Sequence, residues 1–178
     1  MNEEIDQIKQ QAIKAYNNKQ FEDAIQGFQT CLTYFEGSGD ELAVAEARNN
    51  LSVTHLAMKQ AQLAYDEVKG TDEVFARFGD RKRHGMAVAN MAAALEALGK
   101  KEEALTLYEQ VLDIFMEIGE KEMRTSILRR VSDLQLKTKR GYQAIASLEA
   151  AYDQKDKPNL KESFFNKILS AIRKKLIR

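Results

Sequence analysis

The chain repeats itself every forty residues. An alanine marks each copy at the same place, at Ala24, Ala64, Ala104 and Ala144. Twelve positions before each alanine stands a small residue, and four positions after it stands an apolar one. A glycine followed by an acidic residue comes after the first three copies, at Gly39, Gly79 and Gly119. Such a repeat predicts a helical unit that buries its apolar face only by stacking against its neighbours.

Each copy has the pattern of two helices. Glycine suits the position just past a helix, and an acidic residue suits the start of the next one. With only one proline and nine glycines, the sequence has too few turn residues for an all-β fold. We predict an all-α fold of nine helices, over about 3–17, 21–36, 41–58, 61–77, 81–98, 101–117, 121–138, 141–154 and 159–177.

The second copy departs from the pattern in its second helix. Gly70 falls in the middle of that helix, and Asp72 stands where the first and third copies have Leu32 and Leu112. A buried acid without a partner is costly. Either the helix kinks at Gly70 and turns Asp72 outward, or Asp72 has a buried partner, and we favour the kink.

The repeat resembles the tetratricopeptide repeat over residues 1–155. The best copy runs from Gly79-Asp80-Arg81 through Asn90-Met91 to Ala104-Leu105, and Arg48-Asn49-Asn50-Leu51-Ser52 is also typical. The period is forty residues instead of the common 34, and the closing proline is missing. The resemblance implies a single domain over 1–178, a right-handed α-solenoid of four hairpins. Its repeats would cover about 1–40, 41–80, 81–120 and 121–158, and a capping helix 159–178.

In that family the first helix of each hairpin lines a concave groove that binds protein segments. Helical faces then give the candidate ligand-binding residues, which are Ile13, Tyr16, Asn49, Asn50, Val53, Leu56, Met86, Asn90, Ala93, Arg129, Arg130 and Asp133. Asn50 and Asn90 recur forty residues apart although asparagine is a poor helix former. Their amides could hold the backbone of a bound peptide. The alternative is that they bond to a neighbouring helix.

The net charge of zero hides a gradient along the chain. Residues 1–80 carry 7 basic and 14 acidic residues, whereas residues 81–178 carry 20 and 13. Arg129 and Arg130 could therefore favour a partner with an acidic end, or they could simply form a solvated basic face. The charges also allow a second hypothesis, in which opposite ends of two copies associate head to tail.

The remaining residues give no catalytic, metal or cofactor site. One cysteine and two histidines are too few for a disulfide framework or a usual metal site, and Cys31 falls at a small packing position. We expect no enzyme activity, no cofactor and no nucleic-acid partner. We also expect no membrane partner, although the basic face of the last helix leaves membrane docking as an alternative to capping.

The expected function is therefore a non-catalytic scaffold or adaptor that binds a peptide or helix of another protein. A chaperone for a secreted client is a third hypothesis. The absence of a signal peptide makes the cytoplasm the default location.

Overall fold

The computed structural model describes residues 3–153, and in this range the fold is all-α, as predicted. Its nine helices are α1 (Glu3–Asn17), α2 (Phe21–Ser38), α3 (Glu41–Ala57), α4 (Ala61–Val68), α5 (Thr71–Arg77), α6 (Arg81–Ala97), α7 (Lys101–Glu117), α8 (Lys121–Lys137) and α9 (Gly141–Asp153). Apart from the helix predicted over 61–77, the predicted boundaries in this range agree with these within two residues. The predicted capping helix 159–178 lies outside the described residues.

The helices divide between two compact units. The first covers Met1–Leu107 and the second begins at Tyr108. In the first unit α1 packs on α2, α2 on α3, and α3 on α4, α5 and α6; in the second unit α8 packs on α9. The single domain predicted for the whole chain remains a prediction.

The two helices of a hairpin cross at the repeated alanines. All four of these alanines are buried, and so are the small residues twelve positions earlier. Two of those small residues are serines that tie the crossing together. The Ser52 hydroxyl donates to the Ala64 carbonyl at 2.8 Å, and the Ser132 hydroxyl donates to the Ala144 carbonyl at 2.7 Å. In these two hairpins the twelve-residue spacing thus corresponds to a hydrogen bond as well as to a close approach of two backbones.

Aspartates begin the first helices of the second and third hairpins. The Asp40 carboxylate accepts a hydrogen bond from the Ala43 amide at 3.0 Å, and Asp80 accepts one from the Arg83 amide at 2.9 Å. The preceding Gly39 has a φ of 72°, the left-handed conformation that ends a helix. The glycine–acid pair therefore acts as predicted, closing one helix and opening the next.

The turn inside each hairpin also uses the left-handed conformation, which the sequence analysis did not foresee. Lys19, Lys59 and Lys139 have φ values of 62°, 61° and 63°, and Gly99 has 81°. These four positions are again forty residues apart. Only the third hairpin has a glycine at this position, the residue that adopts this conformation most readily.

The expected break in the second hairpin is present, and the single helix predicted over 61–77 is therefore wrong. Helix α4 ends at Val68 and α5 begins at Thr71. Between them Gly70 adopts a φ of 82°, a conformation that costs glycine little. Asp72 is partly exposed, whereas Leu32 at the matching position of the first hairpin is buried. The break thus lets the chain keep an acid at an apolar position of the repeat.

Substituting Gly27 tests how tightly the first hairpin is packed. A Cβ at this position would lie 2.7 Å from the Cβ of Ala12. We expect Gly27→Ala to lower the free energy of unfolding by about 1–3 kcal/mol, because α1 and α2 would have to move apart. Gly37→Ala in the same helix is the control. A Cβ there meets nothing within 4 Å, so this variant should gain up to about 1 kcal/mol. Equal effects in urea unfolding would contradict the close crossing.

Replacing Lys59 with glycine should stabilise the turn of the second hairpin. A side chain in the left-handed region costs about 1 kcal/mol or more, and glycine relieves it at the expense of a more flexible unfolded chain. We expect Lys59→Gly to raise the free energy of unfolding by about 0.5 kcal/mol. Gly99→Ala, the reverse change in the third hairpin, should lower it. Thermal unfolding of both variants measures the effect, and a less stable Lys59→Gly variant or a more stable Gly99→Ala variant would refute this account of the turns.

Candidate functional site

A cavity of about 400 Å³ lies between the first helices of the second and third hairpins, α3 and α6. We call it the Asn50 cavity. It contains five of the twelve predicted residues, namely Asn49, Asn50, Val53, Met86 and Asn90. Its remaining lining residues are Glu46, Phe75, Asp80, Lys82 and Arg83. The structure therefore brings the asparagines, one apolar wall and a set of charged side chains to one place.

Two of the asparagines are held by hydrogen bonds between helices. The Asn90 amide nitrogen donates to the Asn49 side-chain oxygen at 3.0 Å. The Asn49 amide nitrogen in turn donates to the Thr71 hydroxyl at 2.8 Å and to the Ala45 carbonyl at 3.1 Å. The Thr71 hydroxyl donates to the Val68 carbonyl at 2.8 Å. For Asn90 the structure thus supports the alternative interpretation, a bond to a neighbouring helix.

Asn50 differs from these two. Its side-chain amide makes no hydrogen bond to any part of the chain that the structure describes. The side chain is partly buried and lines the cavity. An amide carries two donors and an acceptor, so Asn50 can bind a peptide group without giving up an internal bond.

An ion-pair chain crosses the same region. The Lys9 ammonium lies 2.5 Å from the Glu46 carboxylate, which lies 3.6 Å from the Arg83 guanidinium. Arg83 also contacts Asp80 at 3.2 Å. These four side chains join the first helices of three successive hairpins. Because each of these four side chains is partly exposed, the ion pairs contribute little to stability. They fix the positions of the charges around the cavity.

Thr71 and Arg83 are the site residues that sequence reasoning missed. Thr71 follows the Gly70 break, and its hydroxyl anchors the asparagine pair. Arg83 lies at the start of α6, and its guanidinium contacts Glu46 of α3. Nothing in the sequence shows the contacts of either residue, because both contacts join residues far apart in the chain.

The apolar part of the cavity is formed by Val53 and Met86. Met86 is unusually exposed for its type, with 42% of its surface open, and Val53 is partly buried. The buried side chain of Phe75 also lines the cavity. Ala93 lies outside this lining and is 7% exposed, so it contributes to packing within the first unit.

The other predicted residues of the first unit lie outside the cavity lining. Ile13 and Tyr16 are partly buried and pack against the core of the first hairpin. The Tyr16 ring also contacts Phe21, with 5.8 Å between the ring centroids. Leu56 is partly buried in α3. In that core Cys31 is buried, as predicted, and burial raises the pKa of its thiol, which keeps it unreactive.

Arg129, Arg130 and Asp133 belong to the second unit. All three are exposed on α8. The Arg130 guanidinium carbon lies 5.8 Å from the centre of the Tyr108 ring, a cation–π distance. The structure thus places these residues on one helix, and their predicted role with an acidic partner remains a prediction.

The described residues show neither a metal cluster nor a membrane span. No group of three or more histidine, cysteine, aspartate or glutamate side chains within residues 3–153 could hold a metal ion. No described helix is long and apolar enough to cross a bilayer.

Comparison with known proteins identifies the fold. No protein-family model matches the chain, and no curated protein matches it. Among solved structures it is similar to BtubC from P. vanneervenii, with a TM-score of 0.75, 15% identity and coverage of 83% of this chain and 61% of that one. A Rap protein complexed with Competence and Sporulation Factor gives 0.72 and 16%, covering 83% of this chain and 42% of that one. The tetratricopeptide-like repeats of a putative Podosopora anserina kinesin light chain give 0.56 and 16%, covering 98% and 97%.

These similarities show that the chain has a tetratricopeptide-like helical-repeat fold, as the sequence predicted. The chain spans about three fifths of the BtubC structure and about two fifths of the Rap structure. The identities are low, so the comparisons show the fold alone.

Removing the Thr71 hydroxyl tests the asparagine network. Thr71→Val takes away the acceptor for Asn49 and the donor to Val68. We expect the free energy of unfolding to fall by about 1–3 kcal/mol, because buried polar groups lose their partner. Thr33→Val is the control, since Thr33 is exposed and bonds only within its own helix. Urea unfolding should show a change of less than about 0.5 kcal/mol for the control. A Thr71→Val variant as stable as the control would show that the network contributes nothing.

Proposed function

We propose that the protein is a non-catalytic scaffold or adaptor that binds a segment of another protein in the Asn50 cavity. The observation that carries the proposal is the Asn50 amide, which lines the cavity and has no internal hydrogen-bond partner among residues 3–153. A polar group of this kind gains a bond when a ligand arrives, whereas the Asn49 amide already uses both of its N–H groups and its oxygen.

The lining of the cavity suits a peptide in two further ways. Its volume of about 400 Å³ lies in the range of typical ligand sites, about 300–1,000 Å³. Val53 and Met86 offer apolar contact, and the flexible thioether of Met86 can adapt to different side chains. The similar Rap protein is described in complex with Competence and Sporulation Factor, which supports a binding role for this fold without naming the ligand here.

The charges around the cavity define the polar part of the proposed contact. Glu46 and Arg83 are already paired with each other and with Lys9 and Asp80. Fixed charges of both signs would therefore orient a ligand, and a surplus of one sign would not attract it. We separately propose that Arg129 and Arg130, on the second unit, favour a partner with an acidic surface, through long-range attraction. The proposal needs no cofactor and keeps the cytoplasm as the expected location.

A photo-crosslinker placed at Met86 would identify the partner and the segment that lies in the cavity. Met86 is exposed, so p-benzoylphenylalanine should be tolerated there. We expect one partner protein to be crosslinked in native extract through one short segment. A crosslink that joins two copies of this chain would instead support head-to-tail self-association.

Binding of that segment should depend on Asn50. We expect Asn50→Ala to weaken the affinity about two- to twelvefold, because about 0.5–1.5 kcal/mol is typical for a lost hydrogen bond. Gln11→Ala, which removes an exposed amide from α1, is the matched control and should leave the affinity unchanged. Isothermal titration calorimetry measures both. An affinity unaffected by Asn50→Ala would refute the proposed role of this side chain.

A further inference from the structure

A second cavity, of about 510 Å³, opens beside the break at Gly70. We call it the Gly70 cavity. It is bounded by the end of α2, by α3 and by the start of α5. Apolar side chains of Phe35, Val44, Ala45 and Val74 form part of its lining. The Asn50 cavity shares none of its lining residues, so the two are separate sites.

The break in the second repeat lies at this cavity. The first and third repeats place Leu32 and Leu112 at the position that Asp72 occupies. Asp72 is partly exposed and does not line the cavity, whereas Gly70 and Thr71, the residues at the break, do. A protein interior is otherwise close-packed, so a cavity of this size at an apolar floor is a place for an external side chain.

The rim of the Gly70 cavity carries a surplus of positive charge. It has three cations, Arg48, Lys69 and Arg77, and two carboxylates. Arg48 pairs with Glu36 at 3.0 Å, and Arg77 pairs with Glu41. Both carboxylates are therefore engaged. The Lys69 ammonium has no partner among the residues that the structure describes, and it is exposed.

An exposed aromatic residue extends the surface beside this rim. Phe78 follows Arg77, and 55% of its surface is open. The Arg77 guanidinium carbon lies 5.8 Å from the centre of the Phe78 ring. Aromatic residues and arginines next to a pocket are the residue types that dominate protein–protein binding energies. This neighbour favours a protein segment over a small molecule as the occupant.

We infer that the Gly70 cavity is a second docking site, which takes a partner segment with a leucine or aromatic side chain next to acidic residues. The apolar side chain lies against the apolar part of this lining. The acidic residues lie against Lys69 and the remaining donors of Arg48 and Arg77. This site goes beyond the proposed function, because it does not require a ligand in the Asn50 cavity.

The test uses the ¹⁵N-labelled full chain and a synthetic peptide, acetyl-Ser-Asp-Leu-Phe-Asp-Ser-amide. We expect amide shift changes in two-dimensional NMR spectra to be confined to residues around the Gly70 cavity. A peptide with lysine in place of both aspartates should bind at least about tenfold more weakly, because like charges would face each other at the rim. A peptide with alanine in place of leucine and phenylalanine should lose binding.

Variants of the protein locate the site. Lys69→Glu should weaken binding of the acidic peptide at least about tenfold, and Val74→Phe, which fills the cavity, should abolish it. Lys14→Glu, an equal charge change at an exposed position of α1, should leave binding unchanged, as should Asn50→Ala in the other cavity. Lys69 is exposed, so its variant keeps the test valid if Val74→Phe fails to fold.

Several results would overturn the inference. These are shift changes elsewhere in the chain, equal binding of the acidic and lysine peptides, or no shift changes at millimolar peptide. Shifts around the Gly70 cavity that appear with rising protein concentration in the absence of peptide would assign the site to a second copy of this chain, and would also overturn it.

Discussion

The close crossing of two helices at a pair of small residues is the constraint on which the rest of the structure depends. It lets two backbones approach, and in the second and fourth hairpins a serine bonds across it, as Ser52 does to the Ala64 carbonyl. Once this contact is fixed, the larger apolar residues on either side can only point toward a neighbouring hairpin. The forty-residue period of the sequence follows from the repetition of this crossing in each hairpin.

Departures from the repeat are where the molecule gains features of its own. Gly70 interrupts the second hairpin, keeps Asp72 off the core and puts Thr71 within reach of Asn49. One irregular residue therefore serves both cavities. Gly70 and Thr71 line the Gly70 cavity, and the Thr71 hydroxyl anchors the amides that form one side of the Asn50 cavity.

The asparagines show how a repeated polar residue can have two different roles. Asn49 and Asn90 satisfy each other between α3 and α6, which holds two hairpins in one register. Asn50, adjacent in sequence to Asn49, lines the same cavity, but its side-chain amide makes no hydrogen bond among the described residues. Their sequence columns suggested that Asn50 and Asn90 were equivalent. Asn49 and Asn90 are partners instead, although they stand one residue out of register in the repeat, and this pairing appears only when the helices are packed.

The sequence by itself determined the helices, their pairing into hairpins and the break at Gly70, because each depends on residues close together in the chain or on the fixed period. It also indicated which helix faces would supply a site, and Asn49, Asn50, Val53, Met86 and Asn90 do meet there. Only the tertiary structure decided which of these amides are already engaged and which charges surround them. Those contacts join residues of different hairpins, such as Lys9 with Glu46 and Glu46 with Arg83, and their distances depend on how the hairpins pack.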